Sequence, residues 1–236
     1  MIKFGLIGYP ISHSLSPGLF ASAYGDKYPY ELVETPDFEQ AWQRFTAEYQ
    51  AVNVTMPFKA EAARRADFKA PEVLRTGAAN ILVKTPRGIE AHNSDYLGVR
   101  EILSGIAAGQ EELTVAVIGT GGAGRAAGAA AEDLGMRVSL YHHDQIAEGV
   151  CADIVIYALP CEVEGARKIR CRWLLEANYL QPALAQAQLF SSDGTPTEYI
   201  GGKRWLEAQA KHGFPIFFVS CPVESPTADP KKTETI

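Results

Sequence analysis

Four short stretches carry residues whose types and spacing suit chemistry on a small anionic molecule. In "NVTMPFK" (Asn53 to Lys59), polar side chains and a lysine follow a strand-like run. The carboxyl edge of a parallel strand is the usual ligand side of an α/β sheet. Pro57 fixes the turn and keeps Lys59 near that edge, where an amine can protonate a developing alkoxide or take the proton back. Taken alone, Lys59 equally suits the exposed start of a helix. In "AHNSDYLG" (Ala91 to Gly98), Asn93, Ser94 and Asp95 stand between a strand and a helix. One of them suits an N-cap, and Asp95 can instead pair with Lys59. In "GYPISHSLSP", Ser14 and Ser16 precede a proline-started helix, a placement that suits a bound carboxylate, although a cap needs only one serine.

The fourth stretch, "VIGTGGAGRAAGAAAEDLG", sets Gly119, Gly121, Gly122 and Gly124 between a strand-like run and an alanine-rich helix. Glycines there allow a tight turn and let backbone N–H groups approach a pyrophosphate at the helix N-terminus. In such a turn the next strand ends beside the cofactor ribose, and here that corner reads Tyr141-His142-His143-Asp144.

The elements that must position these residues alternate between short β-like runs and longer helical ones. "KFGLIG", "YELVET" and "AVNVTM" read as strands, and "SPGLFASAYG", "DFEQAWQRFTAEY" and "KAEAARRAD" as helices. "AANILVKT" and "GIEAHN" read as a strand pair around Pro86-Arg87-Gly88, and "YLGVREILSG" as a helix ending on Gly105. After a loop at 107–112, "LTVAVIG", "MRVSLY" and "ADIVIYAL" read as strands of a second parallel sheet, buried on both faces. This alternation predicts an α/β fold. The 236 residues, 47% of them apolar, suffice for one large core or two small ones. A net charge of -6 argues against nucleic-acid binding, and no apolar run is long enough to span a membrane. The N-terminus enters a strand without a signal-peptide pattern, which points to the cytoplasm. Cys151, Cys161, Cys171 and Cys221 fit no CxxC motif and read as free thiols, and no metal site is expected.

Together, "GYPISHSLSP", "NVTMPFK", "GAAN" ending at Asn80, "NSD" at 93–95 and "GTGGAGR" at 119–125 resemble the shikimate dehydrogenase family, in the same order and at similar separations. Tyr179 and Gln209 (in "WLEAQA") extend the match more weakly. The resemblance implies that Ser14 and Ser16 hold the substrate carboxylate near Tyr179. It implies that the ring hydroxyls meet Thr55, Asn80, Asp95 and Gln209, with Lys59 and Asp95 as the catalytic pair. The implied reaction is the NADP(H)-dependent reduction of 3-dehydroshikimate to shikimate, without a metal. The implied cofactor residues are Gly119, Gly121, Gly122, Ala123, Gly124, Arg125, His142, His143 and Asp144. The expected architecture is a mostly parallel substrate-binding domain over 1–103 and a shortened Rossmann-like domain over 104–200, with the active site in the cleft. A C-terminal helix and tail over 201–236 should pack back on the first domain and deliver Gln209, as a monomer or homodimer.

The chain departs from the family pattern in several places. His92 and Tyr96 stand where an acidic residue and a glycine are usual, and His92 reads as a surface or satisfied side chain. Members that use NADPH commonly grip the 2′-phosphate with an arginine, where this chain has His142, His143 and Asp144. An aspartate there suits a free 2′-OH, so NAD(H) is the alternative cofactor and quinate an alternative substrate. A non-catalytic shikimate-binding relative is a third reading. Only Asp144 to Ala152 separates two apolar runs, fewer than the roughly ten to twelve residues of a helical crossover, so a helix should be missing or reduced to a turn.

Overall fold

The computed structural model describes residues 2–220, so Cys221 and the polar tail after it lie outside the described residues. Two sheets form the frame. The first has six strands in the order β2-β1-β3-β5-β6-β4. These are β1 Phe4–Gly8, β2 Tyr30–Glu34, β3 Ala51–Val54, β4 Phe68–Lys69, β5 Ile81–Thr85 and β6 Gly88–His92. β1 runs parallel to β2 and β3, while β5 and β6 form the expected antiparallel hairpin. The second sheet is wholly parallel, in the order β11-β10-β9-β7-β8. Its strands are β7 Thr114–Ile118, β8 Arg137–Tyr141, β9 Ile154–Tyr157, β10 Trp173–Glu176 and β11 Glu198–Ile200.

Around the first sheet lie helices α1 Ser16–Tyr24, α2 Phe38–Glu48, α3 Lys59–Arg65 and α4 Pro71–Thr76. The start of α2 is set by Asp37, whose carboxylate accepts from the amide of Glu39 at 2.8 Å. Its buried stripe of Ala41, Trp42 and Phe45 seals one face of the sheet. α4 ends on Gly77, which adopts φ 66°, a left-handed conformation that favours glycine.

α5 Ser94–Ala107 leads from the first sheet to the second. It runs through Gly105, where the sequence predicted its end. Ile106 and Ala107 pack on the core beyond that point, which offsets the roughly 1 kcal/mol that an interior glycine costs a helix. With α6 Gly122–Asp133 and α7 Gly202–Gly213, it covers one face of the second sheet. The other face is covered by Ile146, Val150, Ala166, Ile169, Leu184 and Leu189, which lie in connecting loops, with Ala166 in a short 3-10 segment.

The crossover from β8 to β9 is reduced to a single 3-10 turn, His143–Gln145, as the short separation predicts. One expectation fails with it: β8 is not buried on both faces. It is an edge strand with Arg137, Ser139 and Leu140 exposed, because among the described residues no helix returns along its outer side. At the other end of the chain, α7 packs against α5, and the turn Phe214–Phe218 follows it directly. There Phe214 and Phe217 pack with Phe4 and Phe20.

Candidate active site

The carboxyl ends of the two sheets face each other across a cavity of about 250 Å³. Ser14 and Ser16 enter it from the β1–α1 connection, Asn53 and Thr55 from the end of β3, and Lys59 from the first residue of α3. Asp95 comes from the first turn of α5, and Ala123, Ala177 and Tyr179 from the second sheet's carboxyl edge. Trp205, Leu206 and Gln209 line it from α7.

Lys59 Nζ lies 2.6 Å from Asp95 Oδ2. The pairing is possible because another residue takes the helix cap: Asn93 Oδ1 accepts from the amide of Tyr96 at 3.2 Å, which leaves the Asp95 side chain free. Trp205 Nε1 donates to the Asp95 carbonyl at 3.0 Å and ties α7 to the start of α5. Asp95 is only 6% exposed, so Lys59 takes the place of water as the partner of its carboxylate.

Next to this pair, the Tyr30 hydroxyl donates to Asn53 Oδ1 at 2.7 Å. Burial pushes the Tyr30 phenol far above its ordinary value, against a smaller lowering from Ser16, so it stays a donor. Ser14 Oγ accepts from the amide of Ser16 at 3.2 Å, which turns both residues toward one end of the cavity. The segment that carries Tyr179 is tied back to β10. Glu176, fully buried at the end of β10, accepts from the amides of Ala183 and Leu184 and from the Tyr199 hydroxyl at 2.7 Å.

Asn80 does not line the cavity. Its Oδ1 accepts from the amide of Ser94 at 2.7 Å and its Nδ2 donates to Ser94 Oγ at 3.0 Å, so both ends of the amide are engaged. His92 is half-buried and partly satisfied, between Glu72 and Glu90. Its Nδ1 lies 3.4 Å from Glu72 Oε1, while its buried Nε2 has no hydrogen-bond partner.

The glycine turn fits a dinucleotide pyrophosphate. A Cβ on Gly124 would overlap the Gly119 carbonyl oxygen, and one on Gly119, at φ 110°, would stand 2.8 Å from the Ala158 carbonyl oxygen. At Gly121 an added Cβ would meet nothing within 4 Å, so the turn is tight behind and open in front. No side chain caps α6, which leaves its first-turn N–H groups and the positive end of its dipole to an anion. Arg125 is exposed beside it and makes no ion pair among the described residues. Just past the end of β8, His142 Nδ1 lies 2.9 Å from Asp144 Oδ1, and the His142 and His143 rings stand 4.2 Å apart. That hydrogen bond holds the Asp144 carboxyl below its ordinary value.

A family model described as the shikimate dehydrogenase substrate binding domain matches residues 6–82. A shikimate dehydrogenase (NADP(+)) of Thermus thermophilus is 30% identical over 228 residues, covering 89% of this chain and 84% of the relative. The chain belongs to the shikimate dehydrogenase family. A further relative of that name, from Aromatoleum aromaticum, is 38% identical over 130 residues, covering 52% of this chain and 47% of its own. Among solved structures, the Mycobacterium tuberculosis shikimate dehydrogenase superposes with a TM-score of 0.71 at 26% identity, over 96% of this chain and 95% of that one. The fold of a Thermus thermophilus structure determined with shikimate agrees at a TM-score of 0.75, with 23% identity over 92% of each chain.

Two cavity residues escape a reading of the sequence as motifs. Asn53 begins "NVTMPFK", and only its inward position on β3 separates it from an ordinary strand asparagine. Trp205 precedes Gln209 by one helical turn, so both side chains fall on one face of α7. Among the described residues, no group of three His, Cys, Asp or Glu side chains could hold a metal ion, and no helix is long and apolar enough to cross a membrane.

Proposed function

We propose that this chain is a shikimate dehydrogenase that interconverts 3-dehydroshikimate and shikimate with NADP(H). The observation that carries the reading is the ion pair of Lys59 and Asp95, set in a cavity that the glycine turn approaches from the opposite sheet. When bound, the nicotinamide supplies or accepts the hydride. Lys59 gives a proton to the oxygen that develops on the substrate's carbonyl carbon and takes it back in the reverse direction. Asp95 keeps Lys59 aimed and accepts from a ring hydroxyl. Ser14, Ser16 and Tyr179 bind the substrate carboxylate, while Asn53, Thr55 and Gln209 orient the ring. Asn80 acts through Ser94, whose position it fixes.

Gly119, Gly121, Gly122, Ala123 and Gly124 would hold the pyrophosphate, with Arg125 and the His142–Asp144 corner at the adenine end. The exposed Asp144 favours a second reading, in which the same reaction runs with NAD(H) and a free 2′-OH. The reading takes residues 1–103 as the substrate half and 104–200 as the dinucleotide half. It also places the enzyme in the cytoplasm, as a monomer or homodimer.

The test is shikimate-dependent reduction of NADP+ and NAD+, followed by near-UV absorbance, with quinate as the alternative substrate. Turnover with NADP+ and shikimate is expected. Shikimate binding without turnover on either nucleotide would leave a non-catalytic binding protein.

A further inference from the structure

Tyr96 follows Asp95 directly on α5, yet it is not part of the cavity wall. Its hydroxyl donates to Asp133 Oδ2 at 2.8 Å. Arg75, on α4, reaches the other oxygen of the same carboxylate, with Nε 3.1 Å from Oδ1, and also pairs with the neighbouring Glu132. Arg100, one turn beyond Tyr96 on α5, adds a second positive charge to the surroundings of Asp133. Asp133 is the last residue of α6, so one carboxylate joins the helix of the glycine turn to two helices from the substrate side.

The other end of α6 meets the substrate side as well. A Cβ on Gly122 would stand 3.6 Å from Cδ of Lys59. Between these ends, Ala127, Ala130 and Ala131 pack against Val99, Ile102 and Leu103 of α5. Small side chains along this face let the two helices lie close, and close packing resists sliding. Twelve residues make α6 a strut of about 18 Å, held at one end by Asp133 and presenting the pyrophosphate turn at the other. A cation such as Arg75 is also favoured near a helix C-terminus, where the carbonyl dipoles point.

We propose that Asp133, held by Arg75 and Tyr96, is a positioning residue that sets the glycine turn against Lys59 and Asp95. The proposal rests on the dehydrogenase reading above. Exposed ion pairs of this kind contribute little to folding stability. Reaction geometry is far less forgiving, since a misplacement of about 1 Å can cost about a hundredfold in rate. The node therefore matters for turnover more than for folding.

The experiment compares the wild-type chain with Asp133→Asn, Tyr96→Phe, their double variant and Asp133→Glu. The readouts are kcat, both KM values, shikimate affinity by calorimetry without nucleotide, and amide hydrogen exchange of residues 119–124. Asp133→Asn is expected to lower kcat about tenfold, leave shikimate affinity within about twofold, and speed exchange in the glycine turn but not in β1 or β3. The double variant should be no worse than Asp133→Asn, because both changes act on one contact, and Asp133→Glu should recover part of kcat. Unchanged kcat and exchange in Asp133→Asn would overturn the proposal. So would equal losses of kcat and shikimate affinity, which mark a merely structural role. A wild-type chain without turnover would instead sink the dehydrogenase reading, and the exchange of the turn would still decide whether Asp133 positions it.

Discussion

A Cβ placed on Gly122 would stand 3.6 Å from Cδ of Lys59, so the start of the glycine-turn helix lies one methyl group away from the stem of the proposed acid/base. The space is ordinary contact with a flexible lysine stem. Gly122→Ala should therefore fold normally and keep turnover within a few-fold of the parent. Gly124→Ala is the contrasting case, because its Cβ would collide with the backbone carbonyl of Gly119. It should lose about 1 to 3 kcal/mol of stability, the usual range for overpacking, together with NADP+ binding. Thermal melts and calorimetric titration of the two variants check the contrast, and equal behaviour would refute it.

Lys59→Ala should cut turnover by about 10² or more, the scale of a lost acid/base group, with a weaker effect on shikimate binding. Steady-state rates beside a binding isotherm separate the two effects. Near-normal rates would remove Lys59 from the mechanism.

Tyr199→Phe should destabilise the chain by about 1 to 3 kcal/mol, since the buried Glu176 carboxylate loses a donor at 2.7 Å. The same loss loosens the segment after β10, so KM for shikimate should rise through Tyr179. A urea titration and a substrate series on one preparation test both consequences.

Burial raises the Glu72 carboxyl, but hydrogen bonds from His92, its own amide and the Asn93 amide outweigh that and hold it below its ordinary value. The unfolded chain therefore takes up this proton first as pH falls. The stability Glu72 contributes is present above its unfolded value of about 4.3 and is lost as pH drops through the lower folded value. Urea midpoints measured between about pH 5 and pH 3 should fall less steeply in Glu72→Gln than in the parent. Parallel curves would exclude the linkage.

The exposed Asp144 carboxylate at the end of β8 pairs with His142 and with no other cation among the described residues. Asp144→Asn should tighten NADP+ by about two- to fivefold, through loss of one repulsive charge in a watery setting, and leave NAD+ unchanged. Titrating both nucleotides against both proteins reads this directly.

Much of the site was legible because its residues sit at the junctions of elements. Lys59 starts a helix after a strand, Asp95 stands in the first turn of another, and Gly119 to Gly124 lie between β7 and α6. Such junctions carry a local signature of period change and breaker residues. The bond between Asn80 and Ser94 spans fourteen positions, a contact that no local pattern encodes. The same limit hid β10 and β11, whose four and three residues become strands only by joining a sheet already formed. For β8 the pattern was apolar enough, but burial on both faces depends on a covering helix that is not there among the described residues. At Gly105 the error ran the other way, since core contacts beyond the glycine carried α5 past a residue that usually stops a helix.

The aromatic cluster behind the first sheet joins both ends of the described chain. Phe4 of β1 packs against Phe20, Phe217 and Phe218, with ring centroids 5.0 to 5.5 Å apart. The layer around the first sheet is thus discontinuous in sequence, closed by a segment made after the whole second sheet. A ribosome can release the second sheet to fold while the first still lacks its final wall. During synthesis at about 5 to 20 residues per second, the half that begins first is the half completed last.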